Sequence, residues 1–302
     1  MKKYLFIFIL FIYFSLTCIE NFNYKFDSNY KIISSFYDFR NNQINTGINL
    51  IGKDEKFYSI YDGEVIFYNK NRLGNIRYNN ENLLVIENKE KKLRFNYYNL
   101  KKEFIDKEKF LFKKGEQIGL TNYNEQLKES RFYIEVEDIE NQKILNPLNF
   151  VSINDTIPPS ILDIYFKTDE GQIVSLRIKG EYKIKRGGKI FIKCFDKINN
   201  SNYNIIPYRI KILIDGIEKV DFVFDNLNKN ESFFTLNKDL KFEEIYLNKE
   251  PFDFHIMDYY ALPGLIGFKV IIEDFNGNKS YFMRNLKILP PGAEEKNENK
   301  NK

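Results

Sequence analysis

The chain has no tryptophan and only one histidine, His255, among 302 residues. A single imidazole excludes any zinc centre built on two histidines within one chain. Only two cysteines are present, Cys18 and Cys194. If Cys18 is lost or modified with a leader, no internal disulfide is expected. Charge of either sign is not in excess: the formal net charge is +4, and Lys2 and Lys3 contribute to it. That is too little for an electrostatic footprint on nucleic acid, and no Arg/Lys stripe compensates. Nucleic acid is therefore excluded as a partner. No apolar run reaches the ~20 residues of a comfortable membrane span. Helix signals are scarce as well.

What is abundant is Phe (29) and Tyr (21), alongside many Ile, Asn and Lys. This pattern reads as the codon bias of an AT-rich genome rather than a stacking platform for bases. At the N-terminus, Lys2 and Lys3 precede an apolar run over 4–16 and then Thr17-Cys18. A basic segment followed by a short apolar one is a secretory signal. Ser15-Leu16-Thr17-Cys18 resembles a lipoprotein cleavage box with the leucine one place closer to the cysteine than usual. Lipidation of Cys18 and plain cleavage both stay open, as does an uncleaved leader acting as anchor. In each case the chain is expected in the periplasm or outer cell envelope.

After residues 1–18, short alternating runs separated by turn residues give an all-β rhythm. They fall at 56–60, 63–68, 82–87, 93–98 and 131–136. Gly47, Gly52, Gly63, Gly74, Gly115 and Gly119 lie between or at the ends of such runs, where positive φ is often needed. A boundary is expected at Asn154-Asp155-Thr156-Ile157-Pro158-Pro159, because two prolines favour an extended linker. A second series follows at 160–167, 173–178, 189–195, 208–214, 219–224, 268–273 and 280–288. Asp215-Gly216 and Asn276-Gly277 are turn dipeptides between such runs. About seven strands over ~130 residues suit an immunoglobulin-like β-sandwich. The expected organisation is a first domain over 28–153, a sandwich over 158–289 and a disordered tail over 290–302.

Four blocks carry a family resemblance. Asn45-Thr46-Gly47-Ile48-Asn49-Leu50 stands where an H-x-G-x-D segment would stand, and is followed by Phe57-Tyr58-Ser59-Ile60-Tyr61-Asp62-Gly63-Glu64-Val65. Tyr97-Tyr98-Asn99-Leu100 resembles Y-x-H-L, and Phe112-Lys113-Lys114-Gly115-Glu116-Gln117-Ile118-Gly119 comes after it. Arg131-Phe132-Tyr133-Ile134-Glu135-Val136 resembles H-L-H-F-E-V, with Asn146-Pro147-Leu148 beyond. In order and spacing, residues 32–151 resemble the lysostaphin/LytM-type zinc endopeptidases of peptidoglycan. The resemblance implies a LytM-like (duplicated hybrid motif) β domain with a groove.

It also implies which positions would do the chemistry. The three metal-ligand positions fall on Asn45, Asn49 and Tyr133, and the two that act on water and transition state fall on Asn99 and Arg131. None matches. Amide oxygens are neutral and poor zinc ligands, a tyrosine phenol has a reference pKa near ~10, and arginine is a fixed cation. A zinc peptidase needs three ligands and an open water position. The expectation is therefore a non-catalytic domain with no cofactor. Asn45, Asn49, Asn99, Arg131 and Tyr133 would line a degenerate groove that binds and regulates or localises a cell-wall hydrolase or another envelope partner. An alternative is a peptidoglycan-binding or surface adhesion protein without regulatory role; an active metalloendopeptidase ranks last. Asp274-Phe275-Asn276-Gly277-Asn278 reads as a hairpin turn rather than a calcium loop. Cys194 reads as a strand-core cysteine sharing a face with Ile190 and Ile192. His255 reads as structural, because no nucleophile accompanies it.

Overall fold

A computed structural model describes residues 24–25, 30–52, 56–69, 83–103, 110–121, 123–124, 129–177, 183–185, 187–199, 201–229, 234–236 and 240–290. The leader with Cys18, the turn with Gly74 and the tail beyond residue 290 lie outside them. The fold is all-β: among the described residues the only helical segments are a 3-10 turn, Pro147–Phe150, and one α turn, Phe242–Ile245. No helix among these residues is long and apolar enough to cross a membrane.

The first half is organised by the strand Glu129–Asp138. Its alternation buries Phe132, Ile134 and Val136 on one face, as a strand with period two requires. On one side it pairs antiparallel with Leu93–Tyr98, which continues to Leu83–Asn88 and Gly63–Asn69. On the other side it has two partners in series. Ile48–Gly52 covers its beginning and Lys143–Leu145 its end. Tyr30–Ser34 is added outside Ile48–Gly52. A small sheet of Lys56–Tyr58, Gln117–Thr121 and Leu100–Glu103 completes this half. Its core includes Ile48, Leu50, Leu84, Ile86, Phe95, Tyr97, Phe132, Ile134 and Val136.

The second half is a two-sheet sandwich. One sheet runs Ile173–Ser175, Ser160–Lys167, Gly187–Phe195, Asp253–Tyr260; the other runs Lys183–Lys185, Lys279–Leu289, Gly264–Glu273, Arg209–Ile214, Ile217–Val223. Ile164, Phe166, Ile190, Ile192, Cys194 and Phe254 share one core with Ile210, Ile212, Phe268, Val270, Ile272 and Leu286. Each such aliphatic or phenyl side chain contributes about 1.5–3 kcal/mol by leaving water. Asp215 (φ 51°) and Gly216 (φ 79°) make the two-residue turn with both residues left-handed, which matches the twist of the flanking strands.

The halves also share backbone. Asn226–Lys229 pairs with Lys143–Leu145 and is followed outward by Phe234–Leu236, so the first sheet continues into a segment from the second half of the chain. Side chains reinforce this joint. Asn146 donates to the Phe224 carbonyl at 2.9 Å, and Asn149 donates to Asp225 Oδ1 at 2.8 Å. Phe36, Tyr37, Phe39, Ile44 and Ile144 belong to the same buried cluster as the sandwich core.

Candidate functional site

Register, more than sequence proximity, assembles the candidate groove. In the ladder, Asn49 is opposite Tyr133, and Tyr133 is opposite Tyr98 across the next strand. Asn99 follows that strand with φ 70° and donates its amide to the Arg131 carbonyl at 2.6 Å. Asn45 sits just ahead of Ile48–Gly52. Thr46, next to it, has its hydroxyl 3.1 Å from the Tyr133 hydroxyl. The five sequence-selected positions thus converge on the start of the Glu129–Asp138 strand.

What those side chains do there is mostly internal. The Asn45 amide nitrogen donates to Ser34 Oγ at 3.0 Å and to the Ser35 carbonyl at 2.9 Å, while its oxygen accepts the Gly47 N–H at 3.3 Å. Ser34 in turn donates to Asp38 Oδ2 at 2.8 Å. Tyr133 is buried, with its ring 5.3 Å from that of Tyr98. This corrects its expected part as a groove contact: its hydroxyl is turned inward to Thr46, so it supports the site from beneath. Thr46 also bonds Glu135, which accepts from Asn96 at 3.4 Å. Burial pushes the Glu135 carboxyl above its ordinary range and the Glu137 charge adds to this, against the hydrogen bonds from Thr46 and Asn96. Arg131 alone of the five is well exposed, and it forks onto Glu129 Oε1 at 3.1 and 3.0 Å. An exposed pair of this kind is worth at most ~1 kcal/mol, so the guanidinium exchanges partners at little cost.

These residues do not fit zinc. Three amides, two of them engaged with backbone, a buried phenol and a cation supply neither the charge nor the open water position that the metal needs. Among the described residues, the one grouping of three His, Cys, Asp or Glu side chains close enough to share an ion is Asp155, Asp196 and Asp274, at the joint between the halves. Sequence reading passed over it, since its members are far apart along the chain and Asp274 reads as a turn residue.

The other chemistry-bearing residues are absorbed by structure. His255 Nδ1 lies 2.9 Å from the Glu244 carbonyl and Nε2 lies 2.8 Å from Asp258 Oδ1. Cys194 is fully buried, and burial pushes its thiol well up, which makes it inert as a nucleophile.

A protein-family model matches residues 158–288, less than half of the chain. No curated protein matches. Among solved structures, the SpoIIQ–SpoIIIAH pore-forming complex gives 20% identity over 43% of this chain and 91% of that chain, with a TM-score of 0.33. A zinc-containing peptidase from Vibrio cholerae gives 27% identity over 37% of this chain and 35% of that one, with a TM-score of 0.29. The antimicrobial peptidase lysostaphin from Staphylococcus simulans gives 8% identity over 85% of this chain and 95% of that one, with a TM-score of 0.32. The neighbours therefore include a zinc-containing peptidase, lysostaphin and a pore-forming complex, each at a TM-score below 0.5.

Proposed function

We propose that the chain is a non-catalytic, LytM-like protein of the cell envelope that binds a protein partner and regulates or localises it, with the sandwich as a second unit. The observation that carries this reading is the state of the five groove positions. Asn45 and Asn99 are engaged with backbone, Tyr133 is buried, and Arg131 presents a cation that, among the described residues, pairs with the half-buried Glu129. A guanidinium offers a planar fork that suits a carboxylate of a partner. Asn49 lies two ladder positions from it on the neighbouring strand and is half-buried. Such a surface suits binding; none of the five side chains is a carboxylate or imidazole that could activate water.

The test is affinity capture of the mature chain from its own envelope, with Arg131→Ala and Asn49→Ala in parallel. Arg131→Ala is expected to reduce recovery of a co-purifying hydrolase or envelope protein by about tenfold, the scale of one charge-assisted contact. Its unfolding free energy should move by less than ~1 kcal/mol. If both variants recover everything the parent does, the groove is not the binding surface. Retention on purified sacculi with no captured protein would instead favour peptidoglycan binding.

A further inference from the structure

We infer that Asp155, Asp196 and Asp274 form a calcium site that pins the linker between the halves to the sandwich. The three residues come from separate segments. Asp155 lies in the linker before the two prolines, Asp196 follows the strand Gly187–Phe195, and Asp274 opens the hairpin between Gly264–Glu273 and Lys279–Leu289. They are exposed by only 6%, 3% and 1%. One carboxylate oxygen from each lies within 4.8 Å of the others. An all-oxygen set drawn from a linker and two loops suits calcium, which accepts irregular coordination, better than magnesium, which demands a near-ideal octahedron.

Two further observations point to a ligand. Asp196 Oδ1 is buried and has no hydrogen-bond partner. An orphaned carboxylate oxygen is costly to keep, and no Lys or Arg among the described residues forms an ion pair with any of the three. In addition, Asp155 and Asp196, though not Asp274, line one side of a partly open cavity of about 20 Å³, which leaves room for one water beside the cluster.

The surrounding loops hold the oxygens in place without neutralising them. Asp155 Oδ1 accepts the N–H groups of Ile157 at 3.1 Å and Asn199 at 3.2 Å. Asp274 accepts the backbone and side-chain N–H groups of Asn278 at 2.8 and 2.7 Å. Asn278 also donates to the Asp155 carbonyl at 3.1 Å, and Asn276 donates to the Ile153 carbonyl at 2.6 Å. The backbone of Asp196 is clamped to Ile205 on both its N–H and its carbonyl.

The experiment uses the full mature chain, stripped with a chelator and titrated with calcium chloride by calorimetry, with thermal unfolding in calcium, in magnesium and in chelator. One equivalent of calcium should bind and raise Tm by several degrees, with magnesium giving little. Asp196→Asn should weaken calcium binding roughly tenfold or more. It should also melt no lower than the parent in chelator, because it removes a buried charge and keeps the shape; Asp274→Asn is the second variant. The site is overturned by absence of binding heat at millimolar calcium, by an equal response to magnesium, or by an undiminished response in both variants. Stabilisation by acid with none by calcium would mean that the three carboxylates share a proton, which also overturns it.

Discussion

Replacing Gly47 by alanine is expected to destabilise the chain by about 3 kcal/mol or more, the upper range for forcing atoms into a filled core. A Cβ on Gly47 would stand 2.1 Å from the Ile134 carbonyl oxygen and 2.7 Å from the Tyr133 ring. The first is backbone of the central strand and the second is a buried ring braced by Tyr98; neither has room to yield. Relief would require separating Ile48–Gly52 from Glu129–Asp138, the pairing that sets Asn49 opposite Tyr133. Gly171→Ala is the contrast. Its φ of 82° is unfavourable for alanine, yet a Cβ there meets nothing within 4 Å, so a cost near ~1 kcal/mol is expected. Urea unfolding midpoints measure both. A Gly47→Ala protein within ~0.5 kcal/mol of the parent would mean that the two strands are not packed as described.

The second large effect concerns Tyr246. It is buried, its ring stacks on Phe39 at 4.6 Å and lies 5.4 Å from Phe254, and its hydroxyl donates to the Tyr37 carbonyl at 3.0 Å. Tyr246→Ala removes a large aromatic from a closed core and should cost about 3–5 kcal/mol. Tyr246→Phe keeps the packing and should cost about 1 kcal/mol through the lost hydrogen bond. Because Tyr37 and Phe39 belong to the first half and Phe254 to the second, the loss should be felt in both. Hydrogen exchange should speed up in the strands Ile48–Gly52 and Gly187–Phe195 together, in proportion to the lost stability. Faster exchange confined to the sandwich would show that the halves unfold independently and that the shared core does not couple them.

Much of the strand pattern was legible in the sequence because its signals are local. Alternation over 93–98 and 160–167 matches the strands Leu93–Tyr98 and Ser160–Lys167 residue for residue, and Asp215-Gly216 has the turn geometry that its dipeptide demands. Cys194 lies buried with Ile190 and Ile192, as their shared face required. What escaped was non-local. The extension of the first sheet by Asn226–Lys229 depends on a pairing across some eighty positions, and nothing in a short polar strand announces its partner. The burial of Tyr133 could not be read from its motif position, since it follows from Gly47 leaving space for the ring and Thr46 supplying a hydroxyl partner. Gly47 reads in the sequence as a turn glycine, but a close approach is what requires it. The three aspartates were invisible for the same reason: two loops and a linker must fold before their oxygens meet.

The central claim is that the five groove residues hold no zinc and activate no water. It is tested most directly by equilibrating the mature chain with zinc, dialysing it, and measuring bound metal alongside turnover of cross-linked peptidoglycan peptides. Asp196→Asn serves as the background, so that the aspartate cluster does not contribute. The expected result is far less than one zinc per chain, unchanged by Asn49→Ala, and no turnover. One tightly held zinc that Asn49→Ala releases, together with turnover that a chelator abolishes, would contradict it.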